Sequence, residues 1–373
     1  MRRPALVLLL CLAASAADAH KPSDSYLALS VDGAAVRGQW DIALRDLEFA
    51  IGLDADGNGE ITWGELKVRR KEVESYAFSR LKVLSDGKSC ALNAADFLVD
   101  EHSDGAYAVL RFEADCGARA PASVEVGYSL FFDLDPTHRG LLRFERGGAA
   151  QTGVLSPERP QLAFRAGESS RLAQFLDYLR EGVWHIWIGF DHILFLLSLL
   201  LPSVLVLRQR QWKAAERFRD TFWDVFRVVT SFTVAHSITL SLAALAVISL
   251  PSRLVESTIA LSVVLAALNN LKPVVAERRW AVAFGFGLIH GFGFASVLAD
   301  LGLPQGALLL ALVGFNLGVE VGQLAIVGAF LPLAYALRGT WFYRRLVFTG
   351  GSAAITLVAL VWLVERVFDL KLL

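Results

Sequence analysis

The chain has 373 residues, of which 54% are hydrophobic and 20% are charged, and its formal net charge is −1. This balance of charge, without a long basic segment, argues against nucleic acid as a partner. A chain that is this apolar and still carries this much charge is predicted to have two unlike parts, one polar and one embedded in a lipid bilayer.

Residues 1–19 have the pattern of a secretory signal peptide. Two arginines come first, a short apolar core follows, and an Ala-Asp-Ala cleavage site ends at Ala19. The alternative is an uncleaved anchor, for which the apolar core is short. We therefore expect residues 20–165 on the periplasmic side of a bacterial inner membrane.

Residues 20–165 predict an exported, β-sandwich-like domain. Stretches such as SYLALSV and YAVLRFEA alternate apolar and polar residues, with turn-forming residues between them. Cys90 and Cys116 both lie here, and an isolated pair in an oxidising compartment predicts a disulfide. Two buried free thiols are the alternative.

The stretch DADGNGEITWGE, residues 54–65, has the spacing of an EF-hand calcium loop inserted into this domain. Oxygen donors occupy each ligand position, and Gly59 stands where the loop must turn sharply. The predicted Ca²⁺ ligands are Asp54, Asp56, Asn58, the Glu60 carbonyl, Thr62 and Glu65. The alternative is a turn that binds no metal.

The remainder predicts an α-helical membrane domain. Residues 166–184 read as an interfacial amphipathic helix and linker, and residues 185–373 as a domain of six transmembrane helices. The predicted spans are 185–207, 222–249, 253–275, 280–299, 306–337 and 344–366. Arginine and lysine concentrate in alternate loops, so the positive-inside rule places the exported domain and the C-terminus on the outer side.

Several polar side chains fall inside these spans, where ionisable groups are rare and usually functional. They are His185, Asp191, His192, His236, Glu256, His290, Asn316 and Glu320. Imidazole with carboxylate is a ligand set for divalent nickel, cobalt or zinc, and the spans contain neither Cys nor Met to favour Cu(I). The alternative is that each histidine is a packing residue and that the polar side chains after residue 315 form a helix–helix seam.

His185 and His192 lie on one face of the first predicted span. In a straight helix they stand about 10.5 Å apart along the axis. That distance predicts two separate stations on a metal path rather than two ligands of one ion.

The membrane part resembles the HupE/UreJ family, which is associated with nickel supply. His185, Asp191 and His192 match the family's HX5DH motif, and His290 with the glycine after it matches part of the fourth-span motif. The resemblance implies a metal transporter with six spans. Phe286 and Gly293 stand where the family has a further His and a Glu, so nickel selectivity does not follow from it.

Uptake of a divalent metal through a His, Asp and Glu path is the first hypothesis. An intramembrane zinc hydrolase is an alternative, with His192, His236 and His290 as ligands and Asp191 as base. The other alternative is a sensor or assembly protein that acts through the exported domain, whose protein partner the sequence does not identify. The sequence also leaves a homo-oligomer open.

Overall fold

The computed structural model describes residues 24–102, 105–165, 171–209, 211–245, 247–248, 250–275, 277–293 and 305–368. The predicted signal peptide lies outside these residues, as does the end of the fourth predicted span.

The N-terminal part is rich in β-structure. Its strands are β1 Asp24–Asp32, β2 Ala35–Ala43, β3 Leu81–Ser85, β4 Lys88–Ser89, β5 Ala91–His102, β6 Gly105–Asp115, β7 Ser123–Tyr128, β8 Arg139–Arg146, β9 Ala149–Leu155 and β10 Gln161–Arg165. A six-stranded sheet has the order β5-β6-β2-β1-β8-β9, and a four-stranded sheet has the order β10-β7-β3-β4. All neighbours are antiparallel except β1 and β8, which run parallel.

Alternation along β1 gives the larger sheet two buried faces. Leu27 and Leu29 pack with Trp40 in the core between the two sheets, because successive residues of a strand point to opposite faces. Tyr26 points the other way and packs with Tyr107 against apolar residues of the membrane helices. The six-stranded sheet therefore lies between the smaller sheet and one end of the helices.

Three short helices interrupt the sandwich between β2 and β3: α1 Leu44–Ile51, α2 Trp63–Val68 and α3 Arg70–Phe78. Thr62 caps the start of α2, where its side chain accepts a hydrogen bond from the Glu65 N–H. Cys90 and Cys116 form a disulfide that joins the ends of β5 and β6.

The C-terminal part is helical. Its helices are α4 Arg171–Ile188, α5 Phe190–Leu200, α6 Phe218–Ala244, α7 Ser252–Leu271, α8 Arg279–His290, α9 Gln305–Leu337, a π-helix Phe342–Gly350 and α10 Gly351–Phe368. A hairpin of β11 Leu205–Arg208 and β12 Gln211–Ala214 follows α5. The first predicted span was drawn too long, since its helix ends at Leu200 and the chain then enters this hairpin.

Within the described residues, four helices are long and apolar enough to cross a membrane, or five if the bent pair of α4 and α5 is one span. The protein is therefore a membrane protein. Helix α8 has 12 residues, about 18 Å at 1.5 Å per residue, and residues 294–304 lie outside the described chain. The fourth predicted span, 280–299, therefore stays a prediction.

Glycines allow the helices to approach closely. A Cβ on Gly182 of α4 would lie 2.0 Å from the Phe315 carbonyl oxygen of α9, and one on Gly318 would lie 2.0 Å from the Leu179 carbonyl oxygen. A Cβ on Gly287 of α8 would likewise lie 2.5 Å from the Phe232 carbonyl oxygen of α6. Small residues at such positions let helix backbones pack without intervening side chains.

Candidate metal centre

The first predicted span is broken at Gly189. Helix α4 ends at Ile188, α5 begins at Phe190, and the two axes differ by 72°. A Cβ on Gly189 would lie 2.8 Å from the His185 carbonyl oxygen and 3.0 Å from His192 Nδ1, so only glycine fits here without movement of its neighbours.

The break brings His185 and His192 together. Their ring centroids are 4.6 Å apart, whereas a straight helix would separate them by about 10.5 Å along its axis. The prediction of two separate stations is wrong, because it assumed an unbroken helix.

Two further histidines reach the same place from other helices. The His192 ring centroid lies 6.5 Å from that of His236 on α6 and 5.2 Å from that of His290 at the end of α8. Possible ligand atoms of His185, His192 and His236 all lie within 4.8 Å of one another. Three of the four histidine side chains are almost fully buried: His192, His236 and His290.

Each of those three imidazoles has one ring nitrogen held by an oxygen. His192 Nδ1 lies 2.8 Å from Asp191 Oδ1, and His236 Nδ1 lies 3.2 Å from Asn316 Oδ1. His290 Nε2 lies 2.9 Å from Ser262 Oγ.

Those oxygens can only accept from the imidazoles. The Ser262 hydroxyl donates its hydrogen to the Ile259 carbonyl, and the Asn316 amide group donates to the Leu312 carbonyl. Each held nitrogen therefore carries a proton, and in a neutral imidazole the opposite nitrogen then has a lone pair. These opposite atoms, His192 Nε2, His236 Nε2 and His290 Nδ1, are buried and have no hydrogen-bond partner among the residues that the structure describes.

This pattern suits a metal ion. Histidines that bind metals commonly donate their other N–H to a carboxylate or another acceptor, which fixes the tautomer and the ring orientation. Ser262 could not be identified from the sequence, because a serine on an apolar helix does not indicate which distant imidazole it will contact.

Asp191 is held from several directions. Its Oδ1 accepts from the His192 backbone N–H at 2.8 Å as well as from the ring, and its Oδ2 lies 3.7 Å from Arg366 Nη2 at the end of α10. Arg366 is the last residue of the sixth predicted span, and its position there gave no sign of this contact.

The other predicted residues lie around the cluster rather than in it. Glu320 accepts a hydrogen bond from the Thr230 hydroxyl at 2.7 Å, which joins α9 to α6. Its second carboxylate oxygen is buried, and no described residue forms a hydrogen bond with it. Glu256 accepts from the Ser252 hydroxyl at 2.7 Å, and its backbone carbonyl accepts from Arg366 at 3.2 Å.

Two aromatic rings connect the histidines to a cavity on the side of the arginine-rich loops. Phe195 lies between them, with ring centroids 4.8 Å from His290 and 5.7 Å from Phe286. Phe286 and Ser198 line the cavity, whose volume is 1390 Å³. Contacts between aromatic rings thus run from the cluster to a space that can hold water.

The candidate calcium loop places three carboxylates together. Possible ligand atoms of Asp54, Asp56 and Glu65 lie within 4.8 Å of one another. The backbone N–H of Gly59 donates to Asp54 at 2.7 Å, and this bond lowers the pKa of the Asp54 carboxyl. The backbone N–H of Thr62 lowers the pKa of the Glu65 carboxyl in the same way. Both groups are thus held as carboxylates, the form that binds Ca²⁺.

The chain matches the model of the family described as HupE / UreJ protein over residues 161–366, more than half of its length. A search of curated proteins finds no match. The chain therefore belongs to the HupE/UreJ family, which is associated with nickel and cobalt transport.

Proposed function

We propose that this member of the HupE/UreJ family moves a divalent transition metal, nickel, cobalt or zinc, across the inner membrane through its histidine cluster. The observation that carries the proposal is the convergence of His185, His192 and His236 within 4.8 Å. A metal–nitrogen distance of about 2.0–2.1 Å would let these rings share an ion after a small movement.

The donor set favours these ions. Neutral imidazole binds nickel, cobalt and zinc, whereas Cu(I) prefers sulfur ligands, and the membrane helices contain neither Cys nor Met. Asp191 contributes negative charge one residue from His192, and Glu320 offers a second carboxylate near the α6–α9 contact. The proposed path passes from the cluster past Phe195 and Phe286 into the cavity.

The orientation is part of the proposal. The cavity is lined by cations of the predicted inner loops, among them Arg208, Lys213 and Lys272, as the positive-inside rule expects for a cytoplasmic surface. We therefore place the β-rich domain in the periplasm and propose uptake. A Lys213→Cys variant tests this, because Cys90 and Cys116 are disulfide-bonded: a membrane-impermeant thiol reagent should label it only from the cytoplasmic side.

Flux into liposomes tests the transport. Purified protein would be reconstituted, and Ni²⁺, Co²⁺, Zn²⁺ and Cu²⁺ influx would be measured separately for wild type and His192→Ala. His102→Ala is the matched control, since His102 pairs with Asp41 in the β-rich domain. Influx that is lost only in His192→Ala supports the proposal.

The remaining outcomes separate the alternatives. Tight zinc binding without flux would favour the intramembrane hydrolase, with the same histidines as ligands. If the protein showed neither metal binding nor flux, a metal function of the cluster would be refuted. The exported domain would then remain as the site of action.

We also propose that residues 54–65 bind Ca²⁺ and thereby stabilise the exported domain. The support is the ligand spacing together with the three adjacent carboxylates of Asp54, Asp56 and Glu65. Trp63 within the loop stacks on Phe97 of β5, with ring centroids 6.0 Å apart, so ordering of the loop would be passed to the sheet. Isothermal titration with Ca²⁺ tests the site, and absence of binding would refute it.

A further inference from the structure

The end of α10 places a permanent positive charge beside the histidine cluster. Arg366 Nη2 lies 3.7 Å from Asp191 Oδ2, and its Nη1 donates to the Glu256 carbonyl at 3.2 Å. The two side chains are only 19% and 21% exposed. A guanidinium and a carboxylate are thus paired in a largely apolar setting.

The position of Arg366 is fixed by a second helix. Arg253, at the start of α7, donates to the backbone carbonyls of Arg366 and Val367. These carbonyls belong to the last turn of α10, where no partner within the helix is available. The contact anchors the end of α10 and so holds the Arg366 side chain within reach of Asp191.

Whether Arg366 stays paired with Asp191 depends on whether another cation lies close to the carboxylate. Among the described residues, Asp191 brings the carboxylate that directly contacts a ring of the cluster. A buried carboxylate without a counter-charge is costly. A divalent ion bound through His192 would supply that counter-charge, and it would also repel Arg366.

We infer that Arg366 is the counter-cation of Asp191 when no metal is bound, and that a divalent metal on the cluster displaces it. The inference rests on the proposed metal function of the cluster. Arg366 is then a positioning residue of the transport cycle. It balances the charge of the site when no metal is bound, and its return to Asp191 assists release of the metal.

The direction in which Arg366→Gln changes the Ni²⁺ affinity tests this role. Arg366→Gln removes the competing charge, while Asp191 keeps both of its hydrogen bonds to His192. We therefore expect Arg366→Gln to bind Ni²⁺ about tenfold more tightly than wild type, because a cation no longer opposes the ion. A purely structural role would give the opposite result, weaker binding with a lower melting temperature.

Two controls accompany it in titration calorimetry of the full-length protein. Arg366→Lys keeps the charge, so we expect its affinity to stay near that of wild type. Arg37→Gln removes an exposed guanidinium that pairs with Glu113 at 3.6 Å in the β-rich domain, and its affinity should not change. Equal or weaker Ni²⁺ binding by a folded Arg366→Gln protein overturns the inference.

A measurement on the wild type decides the matter if Arg366→Gln does not fold. Phenylglyoxal modifies accessible guanidinium groups, and peptide mass mapping reports the rate at residue 366. We expect Ni²⁺ to raise that rate, whereas an unchanged or lower rate overturns the displacement. If the wild type binds none of Ni²⁺, Co²⁺ and Zn²⁺, the proposed metal function fails together with the displacement. If it binds one of them and the Arg366 rate does not rise, the displacement alone fails.

Discussion

Gly189→Ala should disassemble the histidine cluster. The added methyl would lie 2.8 Å from the His185 carbonyl oxygen and 3.0 Å from His192 Nδ1, closer than carbon normally approaches either atom. Alanine also favours an uninterrupted helix over glycine by about 1 kcal/mol. Both effects push α4 and α5 toward one straight helix.

The geometric consequence is large. Two nitrogens bound to one ion lie at most about 4.2 Å apart, twice the metal–nitrogen distance. Straightening would move His185 and His192 to about 10.5 Å along the axis, so the ion would lose at least one ligand. We expect Ni²⁺ affinity to fall by tenfold or more, which corresponds to about 1.4 kcal/mol per factor of ten.

Calorimetric titration of Ni²⁺ into the full-length protein measures this effect. Gly285→Ala is the matched control, because a Cβ at Gly285 would meet nothing within 4 Å. A folded Gly189→Ala protein with wild-type affinity would show that the break is not what assembles the cluster.

Three further predictions concern single contacts. Ser262→Ala removes the acceptor that fixes the His290 tautomer, so we expect Ni²⁺ affinity to fall about 10–100-fold; an unchanged titration would contradict it. Glu65→Gln should abolish the rise in melting temperature that Ca²⁺ gives the wild type, and an equal rise in the variant would argue against the loop. Burial lowers the pKa of His138 to about 3, below its value of about 6.5 when unfolded. The unfolded state therefore binds the extra proton as pH falls below 6.5, and the free energy of unfolding should drop by up to about 1.4 kcal/mol per pH unit down to pH 3. Hydrogen exchange of β8 amides measures this slope, which His138→Gln should reduce.

The polar half follows its sequence closely because its signals are local. SYLALSV and YAVLRFEA lie within β1 and β6, since alternation along a strand depends on neighbouring residues alone. The stretch SVEVGYSLFFDL, residues 123–134, forms a strand only as far as Tyr128. The rest turns, with Phe131 at a φ of +57°, and this turn brings the buried His138 ring to the Tyr128 hydroxyl at 2.6 Å.

The candidate metal centre could be predicted only as a set of residue types. The sequence shows which polar side chains enter the membrane, but their meeting depends on close contacts between helices far apart in the chain. Gly182 meets Phe315, and Gly287 meets Phe232. Such packing is set by tertiary structure, and apolar periodicity does not report it.

The break at Gly189 explains why the carboxylate of the motif precedes its second histidine directly. A helix interrupted in an apolar environment must satisfy its freed backbone groups within the protein. Gly189 N–H donates to the His185 carbonyl, and the Gly189 carbonyl accepts from Ile193, both at 3.0 Å. The His192 N–H, in the first turn of α5, donates to the Asp191 side chain.

Asp191 therefore serves the fold and the site at once. Its negative charge lies at the N-terminus of α5, where the helix dipole favours an anion, and the same oxygen orients the His192 ring. Asparagine at this position could still accept both hydrogen bonds, but it would bring no charge to attract a divalent ion or to hold Arg366. The aspartate is thus explained by the chemistry of the site, while the hydrogen bonds alone explain only the turn.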